Sequence, residues 1–194
     1  MNGPEDMIAK PTMLMRISIW MARLGGALIF LMAFPITIDV VTRKIFSISF
    51  LESYEISTYI FAIAVPLGFG YALFAGAHIR IDVVFARLKG GSRAALDILG
   101  LLLLTGVVCV FSWQALRTAY ESFKMGARSN STLGTPLALP QSLWAAGLAL
   151  FALICLVVTI RVIILAARRR YDAAEALTNG KQIAPLEVRT ESET

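Results

Sequence analysis

The sequence predicts an all-α integral membrane protein with four transmembrane helices. Three observations carry this. Of 194 residues, 57% are hydrophobic and only 16% charged, against roughly 45–50% and 25% for a soluble domain. The charges are not dispersed: uncharged runs occupy Leu24–Ile38, Ile56–Ala77, Ile98–Leu116 and Gln141–Ile160. Lys and Arg also alternate in density between successive connections, as cytoplasmic retention of positive charge requires.

The first uncharged run has 15 residues, short for a hydrocarbon core of about 30 Å. It reaches span length when the helix starts at Ile17, with Trp20 at the interface and Arg23 extending to headgroups. Glu5 and Asp6 stand where a signal peptide would be basic, and no small-residue cleavage site follows, so this helix is expected to be retained. The other runs hold 22, 19 and 20 residues, enough to cross at 1.5 Å per residue. The expected spans are 17–38, 56–77, 97–117 and 141–165. They lie in one domain, 17–167, after a cytoplasmic N-terminal segment, 1–16.

The N-terminal flank, the second connection and the C-terminal flank hold 13 Lys and Arg, against 5 in the first and third connections. Both termini are therefore expected in the cytoplasm. Residues 168–194 are polar and mixed in charge, and are expected to form a flexible tail. Arg168, Arg169 and Arg170 anchor span four against anionic lipid. The third connection, from about Arg117 to Pro140, carries Gly126, Gly134, Pro136 and Pro140 and is expected to be a structured turn region at the outer face.

Several function classes are excluded. The formal charge of +5 does not form a basic stripe interleaved with aromatics, so nucleic acid is not expected as a partner. Cys109 and Cys155 both lie in apolar runs and suggest neither a disulfide framework nor a zinc site. The one histidine, His78, has no neighbouring ligand set. No nucleophile elbow, zinc-binding His-Glu-x-x-His or phosphate-binding loop is present, so neither catalytic activity nor a cofactor is expected. No ionisable residue lies at mid-span, where transport paths and proton relays place theirs. Span one in particular lacks the acidic residue of small self-sufficient exporters.

Four pieces, in order, carry a family likeness. They are Asp39-Val40-Val41-Thr42-Arg43-Lys44-Ile45-Phe46; Ser49-Phe50 with Glu52 and Glu55; Pro66-Leu67-Gly68 through His78-x-Arg80-x-Asp82; and Ser131-Thr132-Leu133-Gly134-Thr135-Pro136. Across residues 17 to 165 the chain resembles the small membrane subunit of tripartite ATP-independent periplasmic (TRAP) transporters, the Q-type, DctQ-like small permease. Family members often carry two adjacent acidic residues before span two, whereas Ser53 and Tyr54 separate Glu52 from Glu55 here.

The resemblance implies a scaffold in the bacterial inner membrane, beside a large elevator-type permease subunit that takes up an organic acid on the sodium gradient. A periplasmic solute-binding protein delivers that acid. Besides these two partners the chain contacts the lipid bilayer. The alternatives are a membrane assembly factor outside this family and a small self-sufficient transporter.

Candidate contact or structural residues are Glu52, Glu55, His78, Arg80 and Asp82, with Ala64, Gly68, Ala72 and Gly76 spaced by four along span two. Ser131, Leu133, Gly134 and Pro136 are the candidate docking residues at the outer face.

Overall fold

A computed structural model describes residues 13–47, 53–76, 91–131 and 133–178. Within them the fold is all helical: α1 (Met13–Phe46), α2 (Ser53–Phe74), α3 (Gly91–Met125), α4 (Ala138–Ala167) and the short α5 (Tyr171–Thr178). The first four are long and apolar enough to cross a membrane. The described residues contain no strand, only an isolated bridge between Arg128 and Pro136.

The helices outrun the apolar runs. At 34 residues, α1 is about 51 Å long, and α3, at 35, slightly longer. Loss of hydrophobicity ends a span but not a helix, because charged side chains on a protruding turn cost the backbone ladder nothing. Arg117 and Glu121 even pair at 2.8 Å across one turn of α3. That helix stops only where Gly126 turns left-handed, at φ +61°. The connection to α4 is thus residues 126–137, shorter than the stretch from Arg117 to Pro140, and Pro140 lies in the first turn of α4, where its missing N–H costs nothing.

The helices pack in the order α1–α2–α4–α3, with α1 and α3 on the edges. Burial is greatest in α4: 44% of its apolar window is covered by protein, against 17% for α1. The main core joins Met15 of α1, Leu73 and Phe74 of α2, Leu101 and Val108 of α3, and Phe151, Ile154, Cys155 and Val158 of α4. Phe69 and Phe151 meet at 5.3 Å between ring centres. A second cluster, Ala115, Ala119, Ala145 and Leu148, uses small side chains to bring α3 against α4.

Because lipid is as apolar as a leucine side chain, close backbone approach and interhelical hydrogen bonds must replace a hydrophobic drive. Three glycines supply the approach. A Cβ on Gly25 would meet the Ala64 carbonyl oxygen at 2.7 Å, one on Gly70 would meet Ser18 Oγ at 2.8 Å, and one on Gly147 would meet Pro66 Cβ at 2.9 Å. Between α3 and α4, the buried Thr105 and Thr159 hydroxyls bond at 2.9 Å, and Ser112 Oγ donates to the Leu148 carbonyl at 2.9 Å. Thr159→Val should lower unfolding stability by about 1 kcal/mol, measured by detergent titration in mixed micelles.

The expected flexible tail needs a correction. After a turn in which Arg169 adopts φ +57°, residues Tyr171–Thr178 form α5. Ala174 is buried in the main core and Leu177 packs beside it, so part of the segment 168–194 is tied down. Apolar Ala174 and Leu177 recur at helical spacing inside a sequence whose average is polar, and a compositional argument averages that away.

Candidate functional site at the start of α2

The first turn of α2 brings together two groups of residues that the sequence leaves separate. Glu55 is 7% exposed, covered by neighbouring side chains. Its Oε1 accepts a 2.6 Å hydrogen bond from the Tyr59 hydroxyl, one turn on. The covering layer comes from the α3–α4 connection, whose Ser129, Ser131 and Thr135 hydroxyls lie against the carboxylate. Oε2 and Ser131 Oγ nonetheless close no hydrogen bond in this geometry. The amides of the first turn add the positive end of the helix dipole beneath the same charge.

The connection has its own framework. Ser129 N–H donates to the Thr135 carbonyl at 2.9 Å, and Gly134 N–H to the Ser131 carbonyl at 3.1 Å. Gly134 sits at φ +54°, a conformation that costs a residue with a Cβ energy. Arg128 donates to the Gly134 carbonyl at 3.1 Å, and Ser131 N–H to Ser129 Oγ at 3.3 Å. The result is a tight loop that directs hydroxyls inward and leaves Leu133 and Pro136 on its outside.

Of the expected contact residues, Glu55 is therefore directed into its own chain, and Ser131 and Gly134 build the loop around it. Within this chain the run spaced by four along α2 does not pack as one face. Ala64 is buried at the Gly25 contact, a Cβ on Gly68 would meet nothing within 4 Å, and Ala72 is half-buried. Gly76 ends the helix at φ +65°, its N–H donating to the Leu73 carbonyl. The close approach falls to Gly70, which the four-residue count passes over. Glu52, His78, Arg80 and Asp82 lie outside the described residues.

Sequence reasoning missed Tyr59 and Ser129 and held Thr135 only as part of a family-like run; the one-turn spacing of Tyr59 from Glu55 is the local signal. It also undervalued Asp39. Although near the end of α1, Asp39 is 2% exposed and accepts a hydrogen bond from Arg43 one turn on. This pair is shielded on the acidic side. Among the described residues no group of three or more His, Cys, Asp or Glu could hold a metal ion.

The arrangement is a clasp without a reactive group. It joins a helix start to a connection more than seventy residues later and presents a rigid loop beyond the apolar zone. A family model described as tripartite ATP-independent periplasmic transporters, DctQ component, matches residues 32–165, from the middle of α1 to the end of α4. No curated protein and no solved structure matches the chain significantly.

Proposed function

Since the chain belongs to the DctQ component family of tripartite ATP-independent periplasmic transporters, we propose that it is the scaffold against which the large permease subunit of such a transporter moves. The family makes it the small membrane component of a transporter. In our reading the large subunit is of the elevator type, the sodium gradient drives it, and an organic acid arrives on a periplasmic binding protein. Both termini face the cytoplasm of a bacterium whose inner membrane holds the complex.

The family match is the observation that carries this reading, and the charge distribution supports it. The stretches 24–38, 56–74, 98–116 and 138–160 contain no Asp, Glu, Lys or Arg. A chain that itself carried an ion or a carboxylate substrate across the membrane would be expected to place a charge there. Apolar side chains turned outward along both edge helices, such as Phe30, Phe34, Val110 and Phe111, suit contact with lipid or another subunit. The clasped α3–α4 connection, with Leu133 and Pro136 outermost, is the surface we assign to the binding protein.

Deleting this chain while keeping the large subunit and the binding protein should abolish sodium-dependent uptake, and the tagged chain should copurify with the large subunit. Uptake that persists at the wild-type rate without the chain would refute the scaffold role. Replacing Ser131, Leu133, Gly134 and Pro136 together should reduce the stimulation of uptake by the binding protein without reducing copurification.

A further inference from the structure

One turn beyond the Gly25–Ala64 contact, a lateral groove of about 460 Å³ lies between α1 and α2. Its walls are Ile29, Met32, Ala33 and Ile36 of α1, facing Ile60 and Phe61 of α2. Ser57 and Thr58 complete the lining, but both hydroxyls donate to the Tyr54 carbonyl at 2.8 Å, so neither offers an unmet donor. The groove opens sideways: Phe61 and Ile29, at its rim, are 61% and 46% exposed.

Charge says what covers it. The lining face of α1 continues at helical spacing through Val40 to Arg43, about 10 Å past Ile36. Arg43 and Lys44 form the basic last turn of α1, and the Arg43 side chain, held by Asp39, is 60% exposed. Cations at a helix C-terminus, one groove-length above an apolar trough, match a phosphate headgroup above its tails.

We propose that the α1–α2 groove is a binding site for a single anionic phospholipid of the leaflet nearest Arg43, its acyl chains between Ile29 and Phe61 and its phosphate at Arg43 and Lys44. The inference needs only that the chain spans a membrane, not the scaffold role. Bound there, the lipid fills the groove between α1 and α2.

The test is native mass spectrometry of the complete complex with phosphatidylglycerol as the probe. Wild-type protein should retain one tightly bound lipid. Ala33→Phe, which fills the trough, should remove it, while Val110→Phe on the exposed face of α3 should not. Arg43→Gln should weaken binding about fivefold, the effect of one cation at an anionic surface, and Arg43→Lys should preserve it. In parallel, a benzophenone side chain placed at Phe61 and photoactivated in membranes should add the mass of one phospholipid. Equal lipid retention in wild type, Ala33→Phe and Arg43→Gln would overturn the proposal, as would a crosslink from position 61 to the large subunit or to a second copy of this chain. If Ala33→Phe does not accumulate, Arg43→Gln and the crosslink decide by themselves.

Discussion

Gly25→Val is expected to separate α1 from α2 and to give the largest loss of stability of any single substitution in this pair. A Cβ at position 25 would stand 2.7 Å from the Ala64 carbonyl oxygen and 3.3 Å from Leu67 Cβ. A flexible side chain could swing away, but a helix carbonyl is held by its own ladder. The two helices must move apart, and every contact along them is weakened. Overpacking of this kind costs about 1–3 kcal/mol, with the upper end expected where backbone is the obstacle. Gly26→Val is the matched control, because a Cβ there meets nothing within 4 Å. Unfolding in mixed micelles should rank wild type and Gly26→Val together, well above Gly25→Val. Equal stability of the two variants would show that α1 and α2 do not meet at this point.

Glu55→Lys should free the α3–α4 connection. The wild-type carboxylate accepts from Tyr59 and faces the hydroxyls of Ser129, Ser131 and Thr135. An ammonium group accepts nothing, and it opposes the positive end of the helix dipole instead of complementing it. Glu55→Gln keeps an oxygen for Tyr59 and should have a smaller effect. The readout is labelling of a cysteine at Ser131 with a membrane-impermeant maleimide, in a Cys109→Ser background. The reagent should react slowly with the wild-type clasp and several-fold faster in Glu55→Lys, with Glu55→Gln between. Uptake stimulated by the binding protein should fall in the same order. Identical labelling in all three would mean that the carboxylate does not hold the connection.

The comparison of sequence with structure turns on which signals are local. Membrane crossing is a property of composition over about twenty residues, so four runs without charge were enough to count the spans. Where each helix stops depends on single residues such as Gly76 and Gly126, because a backbone ladder continues past the end of an apolar run unless something turns it. The site was half legible. Glu55 and Ser131 stood out separately, through helix-start position and family likeness, but their meeting is long-range and no spacing rule encodes it. The small residues along α2 show the same limit. Period four selects Gly68, which faces open space, and misses Gly70, which meets Ser18 and Ile154 from two other helices. A count along one helix cannot know the direction from which its neighbours come.

The order α1–α2–α4–α3 also has a consequence for biogenesis. Each outer helix pairs with its neighbour in sequence, so two hairpins can close as soon as each leaves the translocon, with only short connections to order. The central seam is different: α2 must wait in the bilayer until α4 has been synthesised, with α3 passing between them in time though not in space. During that interval Pro66, the later partner of Gly147, faces lipid that α4 will displace, while Gly70 meets only Ser18 of α1. Substitutions at Gly147 should therefore leave the insertion of both hairpins intact and stall the chain as two unjoined halves, the species on which membrane quality control would act.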